Sequence, residues 1–151
     1  MKVNKRIFAI LILAFCTLIL NAQHVERTIS FEGNLRRYME YIPTSSYDGS
    51  MPIIFLLHGL GGDCENFSQM GFENVAPNWI IITPEATEAD VMGWDIGTAW
   101  AAGVGAERIP FIGTVNLNAG ENDEGFILAI LDLLERKYNV DTDSVFVAGF
   151  S

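Results

Sequence analysis

Histidine and cysteine are scarce in this chain, with two of each, and the nine basic residues are outnumbered by nineteen acidic ones. Carboxylates, imidazoles and thiols do not cluster at ligand spacing, so no metal is expected, and nothing calls for a redox cofactor. The shortage of Lys and Arg excludes nucleic acid and anionic membranes as natural partners, because the surface repels polyanions. The apolar run at residues 7–20 is shorter than the roughly 20 residues a membrane span needs, and no second run resembles it. There is no internal repeat and no low-complexity tract. What the sequence does hold is apolar residues, 50% of the total, with aromatics well represented, which is the composition of a packed domain.

Lys2, Lys5 and Arg6 precede that apolar run, and Asn21 and Ala22 follow it before the polar Gln23. This is the order of a signal peptide, so residues 1–22 are expected to be a leader and the mature chain to be secreted, extracellular or periplasmic, with no stable membrane span after cleavage. Cys16 follows bulky Phe15 and makes a poor lipidation site. Without the leader, six basic residues stand against nineteen acidic ones, a formal charge of −13 that suits solubility outside the cell. Cys64 is then the one cysteine left, either half of a disulfide whose partner lies beyond residue 151 or a spectator.

Residues 25–31 and 35–42 are β-prone and separated by Glu32, Gly33 and Asn34, which predicts a hairpin. The segments 53–57, 79–83 and 145–149 are short apolar runs typical of strands covered on both faces. They are spaced widely enough for crossover helices, so the chain is read as α/β with a mostly parallel sheet. Three- and four-residue spacing of Phe126, Ile127, Ile130, Leu131, Leu134 and Tyr138 predicts a helix over 124–138, capped by Asn122, with Asp123 and Glu124 suiting its positive end. Residues 85–120 show no sustained period and are expected to form a long excursion over the sheet.

Two motifs end predicted strands. His58-Gly59-Leu60-Gly61-Gly62 follows the first buried strand, where glycines let the backbone turn and aim amide N–H groups at a ligand oxygen. The expected donor is the Leu60 amide, with Gly61 as the alternative; a purely structural turn or a phosphate loop competes, but the dinucleotide spacing and the Lys-Ser/Thr pair are missing. Gly149-Phe150-Ser151 follows the last strand and matches the first half of G-x-S-x-G, the strained elbow that exposes a nucleophilic serine. A tripeptide says little by itself. The order of strand, His-Gly turn, second strand, helix and third strand ending in Gly-Phe-Ser is that of the first half of an α/β-hydrolase.

The runs Arg37-Tyr38-Met39-Glu40-Tyr41-Ile42-Pro43, Met51 through Gly59, Asp123-Glu124-Gly125-Phe126, Tyr138-Asn139-Val140-Asp141 and Val147-Ala148-Gly149-Phe150-Ser151 together resemble the polyhydroxybutyrate depolymerase and feruloyl esterase-like family of the α/β-hydrolases. The resemblance covers essentially all of residues 23–151 and implies a secreted serine esterase with a Ser-Asp-His triad. Ser151 would be its nucleophile, and the acid and histidine would follow in the chain. Here the likeness stops at the nucleophile: both histidines, His24 and His58, precede Ser151. The chain is therefore expected to be the N-terminal part of an esterase domain cut at the elbow and inactive by itself. His58, Gly59 and Gly61 are assigned to supporting the oxyanion turn, His24 is expected to be disordered near the mature terminus, and Asp123 is expected to serve the helix end. Trp94-Asp95 resembles an aromatic segment lining the substrate cleft of related esterases, so Trp94 is a candidate for substrate binding, with core capping as the alternative.

The expected partner is an ester, either a polyester or a plant polysaccharide ester, cleaved through an acyl-enzyme. A secreted α/β-hydrolase peptidase and a non-catalytic binding module remain as alternatives, because fold does not fix function.

Overall fold

The computed structural model describes residues 23–44, 49–91, 94–101, 107–109, 113–115 and 121–151. The leader assigned to residues 1–22, including Cys16, lies outside them. The chain runs β1 (Val25–Phe31), β2 (Asn34–Tyr41), β3 (Met51–Leu57), a short helix α1 (Cys64–Ser68), β4 (Ile80–Pro84), β5 (Thr87–Val91), β6 (Trp94–Ala99), β7 (Glu107–Ile109), β8 (Gly113–Val115), α2 (Asp123–Lys137) and β9 (Val140–Gly149). A single 3₁₀ turn, Phe72–Asn74, links α1 to β4.

Five strands form one sheet in the order β1-β2-β4-β3-β9. The first two are antiparallel and joined through Glu32 and Gly33, both with positive φ, as a two-residue hairpin loop demands. β2 pairs antiparallel with β4, whereas β3 lies parallel to both β4 and β9. This is the expected α/β arrangement of a parallel sheet entered through a hairpin.

Alternation along the central strands divides the core into two layers. Ile53, Phe55, Ile80 and Ile82 point with Tyr38 toward α2, which answers with Phe126, Ile130 and Leu134, all at or near zero exposure. These three helix residues are spaced by four, the stripe one helix face buries. Each such side chain contributes about 1.5–3 kcal/mol on leaving water. On the other face Ile54, Leu56, Ile81 and Tyr41 pack with Phe67 and Trp79. Asn122 caps α2 by accepting from the Gly125 amide, and Asp63 caps α1 through Asn66. Those Asn66 hydrogen bonds hold the Asp63 carboxyl below its usual range.

β9 starts earlier than its apolar run suggests. Met51 pairs with Val140 and Ile53 with Val145, so the polar residues 141–144 bulge out of the ladder and belong to the strand. The excursion expected at 85–120 holds, in its described parts, strands that its lack of period did not announce: two antiparallel hairpins, β5–β6 and β7–β8. Among the described residues no helix is long and apolar enough to cross a membrane, and no group of three or more metal-ligating side chains comes together.

Candidate active site

From β3 the chain crosses to β4 on one side, and after α2 it returns on the other side of β3 as β9, so the sheet is extended in opposite directions about β3. Such a switch point opens a crevice at the strand ends, where ligands bind in open α/β sheets. Both motifs lie there.

The ladder fixes their distance. Leu57 pairs with Gly149, and the Phe150 amide donates to the Leu57 carbonyl at 3.1 Å. Ser151 then adopts φ of +60°, a left-handed conformation in which a non-glycine residue is strained. Across from it, a Cβ placed on Gly59 would stand 2.8 Å from the Phe150 carbonyl oxygen and 3.2 Å from the Ser151 Cβ. Only glycine lets the turn approach the serine this closely.

Two of the turn's amides are engaged within the protein. Gly62 N–H closes the turn on the Gly59 carbonyl at 3.0 Å, and Gly61 N–H donates to the Thr98 carbonyl at 2.8 Å. The Leu60 amide hydrogen-bonds to nothing among the described residues, and Leu60 itself is exposed. Gly61, the alternative donor, is therefore engaged elsewhere, whereas the Leu60 amide is open to a ligand oxygen.

His58 is 2% exposed and bonded through both ring nitrogens. Nε2 accepts from the Ala86 amide at 3.1 Å, which leaves the proton on Nδ1, 2.9 Å from the Gly59 carbonyl it donates to. With both nitrogens committed, the ring holds the turn in place. His24 is not disordered, contrary to expectation: its ring packs on Tyr41 at 5.3 Å and its Nε2 lies 3.3 Å from Glu73. That corner adjoins the start of β4, since Tyr41 pairs with Ile81, and is the end of the sheet opposite Ser151.

Two clefts meet at Ser151. One, about 690 Å³, is lined by His58, Trp100, Asp123, Ile127, Val147 and Ser151 among others. The second, about 360 Å³, is formed by the glycine turn together with Asp63, Asn66 and Phe67. Trp94 lines neither cleft and is 77% exposed on the β5–β6 hairpin. Trp100 does, and its indole N–H donates to the His58 carbonyl at 2.9 Å. Cys64 is fully buried, and burial first, then Glu85, push its thiol up to about 12. This is the setting of a spectator.

Sequence reasoning missed a buried polar junction beside the larger cleft. Arg36 donates to Asp123 Oδ1 at 2.8 Å and to the Glu85 carbonyl at 2.9 Å, with its guanidinium 4.0 Å above the Phe126 ring. Asp123 Oδ2 accepts from the Ala101 amide at 2.6 Å. Asp123 thus serves more than the helix end. The alternation in β2 was the available signal, because it turns Arg36 inward if Arg37 faces out.

No protein-family model and no curated protein matches the chain. Solved structures do. The S-formylglutathione hydrolase of Agrobacterium tumefaciens matches with a TM-score of 0.62 at 13% identity, over 86% of this chain and 49% of its own. The Staphylococcus aureus S-formylglutathione hydrolase gives 0.54 at 14%, over 85% and 47%. A ferulic acid esterase of Anaeromyces mucronatus, solved with ferulic acid, gives 0.52 at 20%, over 86% and 49%. The chain spans about half the length of these structures. Its strand order, its switch point and these likenesses agree: over the part it spans, the chain has the α/β-hydrolase fold, and its structural neighbours are esterases of that superfamily.

Proposed function

We propose that the chain carries the nucleophile side of a secreted serine carboxylic ester hydrolase of the feruloyl esterase or polyhydroxybutyrate depolymerase type. The observation that carries this is the contact between a serine at left-handed φ and a glycine turn whose Leu60 amide is free. In this assignment Ser151 Oγ attacks the ester carbonyl carbon, and the oxygen that becomes negative accepts a hydrogen bond from Leu60 N–H. The amide following the nucleophile is the second donor. Collapse of the tetrahedral intermediate releases the alcohol and leaves an acyl-serine, which water hydrolyses. A general base takes the Ser151 proton and returns it to the alcohol; His58, bonded through both ring nitrogens, and His24, at the opposite end of the sheet, are not placed to be that base. Support for an aromatic acyl group comes from Trp100, which lines the larger cleft with Ser151, and from the likeness to an esterase solved with ferulic acid.

The test uses the complete product of the gene, assayed on p-nitrophenyl acetate, methyl ferulate and poly(3-hydroxybutyrate). Ser151→Ala should lower turnover by about 10³-fold or more while the fold, followed by circular dichroism, is kept. Hydrolysis that survives the substitution would refute the assignment. Export would be read from the mature N-terminus, expected at Gln23.

A further inference from the structure

The glycine turn is held from outside by one short stretch of chain. The Thr98 carbonyl accepts the Gly61 amide at 2.8 Å, and the Thr98 hydroxyl donates to the Gly62 carbonyl. Two residues on, the Trp100 indole donates to the His58 carbonyl at 2.9 Å, with the two rings 5.2 Å apart. The backbones also touch: Gly97 has φ of +80°, and a Cβ there would lie 2.8 Å from Gly61 Cα. Both conformation and space therefore require glycine at 97. β6 and the residue after it pin the turn at His58 on one side and at Gly61 and Gly62 on the other. Gly59, which abuts Ser151, and Leu60, which carries the free amide and lines the smaller cleft with Ser151, lie between these pins.

We infer that β6 is a clamp on the oxyanion turn and that Thr98 is a positioning residue for the Leu60 amide, an inference that rests on the esterase assignment above. Thr98 lines neither cleft at Ser151, so it acts through the turn and not on the substrate. Its two bonds do different things. The carbonyl consumes the Gly61 amide, which would otherwise compete for the ligand oxygen, and the hydroxyl fixes the direction of the Gly62 peptide. An oxyanion donor stabilises the transition state only if it is already aimed before reaction, and misplacement by about 1 Å costs up to about 10²-fold in rate. Loosening the clamp should accordingly slow the chemical step and leave substrate binding nearly intact.

The experiment compares Thr98→Val, Thr98→Ser and Ser151→Ala in the complete gene product. Valine keeps the branched shape and loses only the hydroxyl; serine restores it. Thr98→Val should lower kcat by about 10-fold with KM changed less than about 2-fold, and Thr98→Ser should recover most of the rate. Wild-type kcat in Thr98→Val, or equal losses in the valine and serine variants, would overturn the inference. So would a loss of kcat that merely follows the fraction unfolded in a melt. If Thr98→Val does not fold, Trp100→Phe removes the indole donor at the other pin and should give the same kcat loss; unchanged kcat there overturns the clamp. The Ser151→Ala arm separates the two levels. Activity surviving in it removes the esterase assignment and the clamp's catalytic role together, whereas an inactive Ser151→Ala beside an unaffected Thr98→Val removes the clamp alone.

Discussion

Cys64 and Tyr38 are buried and neutral, and the same burial that silences them makes the fold sensitive to alkali. Burial raises the Cys64 thiol from 9.0 to about 12, and burial with the charge of Glu40 raises the Tyr38 phenol from 10.0 to about 12. In the unfolded chain both groups ionise at their ordinary values. Between about pH 9 and pH 12 the native state therefore holds more protons than the unfolded state, and stability must fall as pH rises through that window. Melting temperature measured in steps from pH 8 upward should stay level at first and then decline. Cys64→Ala should flatten the start of the decline, and a melting temperature constant to pH 11 would contradict the argument. At this scale the sequence was partly readable. Ser151 and the glycines at 59, 61 and 62 announce a turn and an exposed hydroxyl because their types are restricted by backbone geometry. Thr98 announces nothing, since its role depends on a backbone contact formed 36 residues from Gly62.

Elements were legible where burial imposes a period. The stripe Phe126, Ile130 and Leu134 placed α2 within one residue at either end, and the apolar runs at β3 and β4 were placed because both faces are covered. β5 and β6 were not seen. Gly97 interrupts the pattern, Trp94 is exposed where an inward residue would be apolar, and a register shift falls between Ala89 and Asp90. The Arg36–Asp123 pair joins elements that no periodicity connects. It ties β2 to the start of α2, and through the Ala101 amide it secures the chain leaving β6. Side-chain exposures of 7% and 6% mean that neither charge has solvent to fall back on. Removing one partner strands the other, so Asp123→Ala should destabilise the fold by about 3–5 kcal/mol. Urea denaturation would measure it. A loss under about 1 kcal/mol would mean that water reaches Arg36 and that the junction is weaker than its geometry implies.

For the molecule as a whole, the positions of the two histidines decide what these 151 residues can do unaided. A general base must reach the serine proton directly or through one water. His58 lies at the correct end of the sheet but gives one nitrogen to Ala86 and the other to Gly59, so freeing it would dismantle the turn it supports. His24 has a ring nitrogen near Glu73, but it packs on Tyr41 at the far end of the strands. Ser151 is thus a strained, accessible hydroxyl without an imidazole to activate it. β9 leads to the same expectation from another direction: among the described residues it pairs only with β3, and along it Phe146 and Val147 stand 46% and 59% exposed, with Phe150 beside the serine 70% exposed. An apolar strand edge of that kind is normally covered by more protein. Residues 23–151 produced alone should therefore hydrolyse p-nitrophenyl acetate no faster than their own Ser151→Ala variant. Turnover above that variant would require His58 to leave Ala86 or Gly59, which would appear as a shift of its ring resonances in the active protein. Equal rates in the two proteins, set against a large difference in the complete gene product, would place the activating histidine in the remainder of the protein.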